Sequence, residues 1–218
     1  MPERVIQRSR AFPNAYLETD EPPRGLPWKK IIAVAGALGT TYFGLTILAL
    51  SLLDADYSPI SQAASDYGVG RFALEMNLGF FIGGIGLITF ASSIGRKSAV
   101  LRSRAGSVLF FIASLMLFMD SYFTTNIEGG PATLHGTFHG FGGLVFFIAA
   151  PLGVILFSRK IGRAPLLAVT GGLIIGFSLL AFDPGLSGLA ERVILLVIFS
   201  TVVFGSLEIA GILGIPSA

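Results

Sequence analysis

The 218-residue chain has no cysteine, only two histidines and a single tryptophan, and just 13% of its residues are charged. The missing cysteine excludes disulfides, thiolate metal sites and cysteine nucleophiles. The shortage of charge is more informative. Soluble domains carry about 25% charged residues, and a chain with roughly half of that cannot cover a water-facing surface. Lipid is left as its main solvent, in keeping with 53% hydrophobic residues and a mean hydropathy of +0.77. The pI of about 9.1 does not point to nucleic acid, because the basic residues sort by membrane side instead of forming one binding face.

Six apolar runs, at 31–53, 72–94, 105–125, 134–157, 164–182 and 190–213, are long enough to span a bilayer. Polar or Gly/Pro breaks separate them, such as Gly95-Arg96-Lys97 and Asp183-Pro184-Gly185. The expected fold is therefore all-α: a six-span transmembrane bundle over residues 30–218, preceded by a polar cytoplasmic arm at 1–29. The arm holds Pro2, Pro13, Pro22 and Pro23 among mixed charges, with too few apolar positions to fold alone. The first run reads as a retained anchor, with Trp28, Lys29 and Lys30 at its interfacial entrance.

Charge sets the expected orientation. Thirteen of the 15 basic residues fall in the arm and in the second and fourth loops, while Arg71 and Arg192 lie on the opposite side. Basic segments stay in the cytoplasm during insertion. Both termini are thus expected to be cytoplasmic, in an inner (cytoplasmic) membrane crossed several times. An even number of spans agrees.

Glycine recurs in the spans, as Gly79-x-x-x-Gly83, Gly136-x-x-x-Gly140 and Gly171-Gly172 with Gly176, a composition that lets helix backbones approach closely. The unusual polar residues gather toward the outward half. The first outer loop, YSPISQAASDYGVGR, places Ser61 and Ser65 on one face if helical, beside Asp66. Arg71 and Glu75 stand four apart and are spaced to pair. Asp120 lies near the outer end of the third span, where an acid needs water, a partner or a metal. His135 and His139 open the fourth span four residues apart, on one helix face. With Asp120 they form a candidate metal set, zinc being the expected ion, with an open water position. Ligation of a haem or chlorin through one histidine, or hydrogen bonding alone, are the other readings of the same residues. Glu191-Arg192 opens the last span, where adjacent opposite charges set helix depth, and Glu208 lies near its inner end.

The segments ISQAASDYGVGRFALEMNLGFFIGGIG, TLHGTFH and Gly188-x-x-Glu191-Arg192-Val193 resemble the bacterial and archaeal membrane family called domain of unknown function 998, over about residues 35–213. The family often carries a Phe-Pro-x-Asp turn after its third span, where this chain reads Phe123-Thr124-Thr125-Asn126. The resemblance implies no settled activity. Its Ser, Asp and His set is loosely similar to that of the alkaline ceramidases and adiponectin receptors, intramembrane hydrolases with seven spans and more histidines.

Two functions follow. The first is a non-catalytic accessory subunit packing with membrane-protein partners, suggested by the arm, the glycine-rich faces and an incomplete catalytic set. The second is a metal-dependent hydrolase of a lipid-like substrate at the outer leaflet, with Ser65, Asp66 and Asp120 as catalytic candidates and His135, His139 and Asp120 as ligands. The topology is checked with single cysteines. Glu128→Cys should label with an impermeant thiol reagent on intact cells and Ser98→Cys should not; the reverse pattern would contradict the charge assignment.

Overall fold

The computed structural model describes residues 27–94, 103–127 and 130–213; most of the arm lies outside them. Six membrane-length helices account for nearly all of the described chain: α1 (Pro27–Leu53), α2 (Ala73–Ile94), α3 (Arg104–Tyr122), α4 (Leu134–Ile161), α5 (Arg163–Phe182) and α6 (Ser187–Ala210). No strand occurs among the described residues. Helices are the natural outcome for such runs, because in lipid each backbone N–H and C=O must be paired within its own segment. The ends follow local chemistry. Ser103 and Thr133 accept from the backbone N–H of Gly106 and Gly136, capping α3 and α4. α6 begins at Ser187 and ends at Ala210, earlier at both ends than the run at 190–213, because Gly211 takes a left-handed conformation (φ 73°) and closes it.

Consecutive helices from α1 to α4 pack side by side, and α6 closes the ring by packing between α1 and α5. α6 also touches α2 and α4, so it lies nearest the centre. α4 and α5 touch more sparingly. Large apolar side chains face outward, among them Leu52, Leu74, Leu167 and Phe182, at 73–89% exposure. The interior instead holds glycine, alanine and a chain of aromatic rings: Phe43 lies 5.1 Å from Phe80 and 5.2 Å from Phe199, and Phe90 packs edge-on against Phe110 and Phe157. This distribution suits a lipid surround. Several hydroxyls are satisfied by carbonyls, on the same helix for buried Thr40 (Gly36 O, 2.7 Å) and across helices for half-buried Ser107 (Ala91 O, 2.7 Å) and buried Ser114 (Gly84 O, 2.9 Å).

A close approach of two helix backbones joins α1 and α2, where a Cβ on Gly86 would fall 2.6 Å from Thr40 N and one on Gly39 would fall 2.8 Å from Gly86 Cα. Gly79 and Gly83 receive the Phe43 ring of α1, so that pair serves packing within the chain. Gly136 and Gly140 differ from the helix-contact expectation. Gly136 abuts the Asn126 side chain of the preceding loop, and a Cβ on Gly140 would meet nothing within 4 Å.

The segment 54–72 folds back over the end of the bundle formed by the start of α6, and includes a 3₁₀ turn at Ala64–Gly68. Four residues of α6 hold it, three of them through side chains. Glu191 Oε2 accepts from Ala64 N at 2.7 Å, Arg192 donates to Gln62 O at 3.0 Å and to Ser51 Oγ at 3.3 Å, and Ser187 donates to Ser61 O at 2.7 Å. Leu189 N donates to Ile60 O. Arg71 turns toward Asp54 (3.2 Å) and Leu53 O, and so finds a partner other than the Glu75 its spacing suggested.

These contacts give glycines of one composition opposite roles. Gly86→Ala should destabilise the bundle by about 1–3 kcal/mol through overpacking. Gly140→Ala should instead stabilise it by roughly 0.5–1 kcal/mol, as alanine is the better helix former. Thermal unfolding of the purified variants in one detergent checks both; equal shifts would contradict the packing described.

Candidate functional site

α3 ends at Tyr122, so the carbonyl of Phe123 just beyond it has no partner within the helix. His139, buried one turn into α4, fills that need, with its Nδ1 2.8 Å from Phe123 O. A carbonyl only accepts, so Nδ1 carries the hydrogen and Nε2 is left as the proton acceptor of the neutral ring. Asp120 is buried on the last turn of α3, and its Oδ1 lies 3.6 Å from the same Nδ1. That distance is electrostatic contact, not a hydrogen bond. Oδ1 has no hydrogen-bond partner among the described residues. Gly142 makes the pairing sterically possible, because a Cβ there would collide with Asp120 Oδ1.

Both side chains line a cavity of about 50 Å³ that also touches Ser65 of the 3₁₀ turn, Glu191 of α6 and Phe80 of α2. With Phe43 and Ile47 of α1 also in its wall, five helices and the folded-back loop meet at one point. A cavity of this size admits a few water molecules. It is far smaller than the roughly 300–1,000 Å³ of pockets that enclose an organic ligand, so it leaves no room for a macrocycle beside His139.

The structure thus brings together Asp120, His139 and Ser65. It does not bring in His135. Four residues make slightly more than one turn, so the two histidines share a face yet differ in depth. His139 lies level with Asp120, while His135 is exposed beyond the end of α3, its ring 5.2 Å from that of Phe123 and 6.1 Å from that of Tyr122. Among the described residues, no three His, Cys, Asp or Glu side chains stand close enough to hold a metal ion. Asp66 also stands apart from the cavity lining and receives the Tyr57 hydroxyl at 3.5 Å. Burial, then the Asp66 carboxylate, push that hydroxyl's pKa above its ordinary value.

Two cavity residues escaped the sequence reading. Glu191 looks like a depth marker in sequence, yet it holds the loop that carries Ser65. Its partner lies 127 positions away, so no local pattern could announce the bond. Phe147, half-buried on α4, reads as one more apolar residue in an apolar span.

No curated protein and no solved structure matches the chain. The family model described as "Protein of unknown function (DUF998)" matches residues 34–207, a stretch that holds the cavity and nearly all of the six helices. The chain belongs to the DUF998 family of polytopic membrane proteins.

Proposed function

We propose that the protein is an intramembrane hydrolase that cleaves a lipid-like ester or amide, with His139 as general base and Asp120 as its electrostatic partner. The observation that carries this reading is the buried Asp120–His139 pair on a small cavity. Ionisable groups are costly in a membrane interior and are kept there chiefly for function. Here the pair comes with a fixed ring tautomer and room for water.

The chemistry follows from the bonds. Nε2 takes a proton from a water molecule, or from the Ser65 hydroxyl across the cavity, as the oxygen forms its bond to the substrate's acyl carbon. The imidazolium so formed keeps Nδ1–H on Phe123 O, stands beside the Asp120 carboxylate, and lies at the negative end of the α3 dipole. All three favour its charge. When the acyl bond to the leaving group breaks, Nε2–H returns the proton to the departing oxygen or nitrogen. If Ser65 attacks first, water repeats the cycle to release the acyl group.

The three-ligand metal set is not part of this proposal, because His135 stands apart from the pair. The accessory-subunit reading draws on the arm, the glycine-rich faces and the incomplete catalytic set, and residues 1–26 of that arm lie outside the described residues. The basic asymmetry supports an orientation with the cavity end of the bundle at the outer leaflet of an inner membrane.

The reaction can be sought without knowing the substrate. Protein in nanodiscs is incubated with a total membrane-lipid extract in ¹⁸O-water, and the products are analysed by mass spectrometry. Wild type should release ¹⁸O-labelled acids over time. His139→Gln should lower the rate by about 100-fold or more, the usual range for a lost general base, while leaving the thermal midpoint nearly unchanged. Wild-type incorporation no higher than that of His139→Gln would refute the reading.

A further inference from the structure

A cavity of about 50 Å³ cannot admit a lipid, so a substrate that reaches His139 needs a way in. On the other flank of α4 lies a groove of about 580 Å³ between α4 and α5. Its lining is almost wholly apolar, with Ile148, Leu152, Ile174 and Phe177 all exposed along it. α4 and α5, joined by the single residue Gly162, touch only sparingly along the groove. From Phe147 to Ile155 it runs for about 12 Å at 1.5 Å per residue.

Phe147 lines the groove and the cavity alike, so a single half-buried side chain stands between the two. One helical turn nearer the start of α4, Gly143 lines the cavity, is only partly covered, and would give a Cβ nothing to touch within 4 Å. The wall between the bilayer-facing surface and the Asp120–His139 pair is thus one aromatic ring beside one residue with no side chain. Elsewhere among the helices the lining is closed, with Phe43, Phe80, Phe146 and Leu117 all buried, while Ser65 and Glu191 are partly covered at the end where the loop docks.

We propose that the α4–α5 groove is a lateral entrance from the lipid. It takes the alkyl chain of a single-chain amphiphile, and the Phe147 ring is the gate that swings to admit the polar end to His139. The continuity of groove and cavity through Phe147 selects this occupant: an apolar groove that ends at a water-sized chamber holding Asp120, His139, Ser65 and Glu191 matches a molecule with an apolar tail and a polar head. The inference deepens the hydrolase reading by naming its substrate class, and it rests on that reading for the reaction alone. The entrance can be tested separately.

Diethyl pyrocarbonate dissolves in bilayers and carbethoxylates an unprotonated imidazole nitrogen, which His139 offers at Nε2. His135, exposed in the same molecule, is the internal reference. Protein in nanodiscs is treated, and the ratio of modified His139 to modified His135 is measured by mass spectrometry. Phe147→Ala should raise the ratio by about tenfold, since removing the ring shifts the gate toward open. Gly143→Leu should lower it, and Leu196→Ala, on an exposed face of α6, should leave it unchanged. A rise in Phe147→Ala below about threefold, or an equal rise in Leu196→Ala, overturns the gate. In a second arm, lysophosphatidylcholine should protect His139 of wild type while glycerophosphocholine, the same head without its chain, should not; protection by both or by neither overturns the alkyl-chain assignment. If the gate result holds while ¹⁸O incorporation is absent, the hydrolase reading fails and the entrance stands; the reverse pattern removes the entrance and keeps the reaction.

Discussion

The carboxylate of Glu191 accepting the backbone N–H of Ala64 is the contact on which the site depends. The segment between α1 and α2 has little regular structure, so its backbone polar groups need partners from elsewhere. α6 supplies them through Glu191, Arg192 and Ser187, all within its first two turns. Gly188 lets the loop lie flat against the helix, because a Cβ there would collide with Gln62 O. Docked in this way, the 3₁₀ turn brings Ser65 over the cavity. A loop released from α6 would leave the Asp120–His139 pair open to water, and a site that excludes bulk water gains electrostatic strength from doing so.

The same economy appears at the end of α3. Its unpaired carbonyl at Phe123 is a liability for the helix and an asset for the site, since it fixes the His139 tautomer. Asp120, one turn back, is held against α4 by the bare backbone of Gly142. Stability and chemistry therefore share their parts: the groups that finish the helix also orient the base. The packing differs on the side facing α5, where contacts thin out and an apolar groove opens. Close packing runs through α1, α2, α3 and α6 and from α3 onto α4, and it is sparse between α4 and α5.

Much of this was legible in the sequence, and the limits have physical causes. Six spans follow from run length and hydropathy, because the bilayer fixes the length of an apolar helix. The fifth span ends at Phe182 as expected, while the last ends early at Ala210, where Gly211 closes it. Asp120 and His139 stood out because an ionisable group in an apolar span is costly enough to need a reason. Helical spacing alone joined His135 to them, and it failed because spacing reports the face of a helix but not depth against a neighbour. Arg71 found Asp54 across the loop instead of Glu75 along its own segment, and Glu191 found Ala64; long-range pairs of this kind leave no periodic trace. The Asn126 Oδ1 accepts from both the N–H and the hydroxyl of Thr133, so Asn126 organises the start of α4. Phe147 was invisible because an aromatic residue in a span is ordinary until the space on its two sides is known.

The central claim is that His139 is a pre-oriented base, with its hydrogen on Nδ1 and a bare Nε2. Nitrogen-15 NMR of protein labelled at histidine, in nanodiscs, reads the protonation of each ring nitrogen directly, and His135→Gln removes the other signal. For the neutral ring the account predicts a protonated Nδ1 and an unprotonated Nε2, with the Nδ1 proton showing the downfield shift of a hydrogen bond. A neutral His139 ring carrying its hydrogen on Nε2 would contradict it.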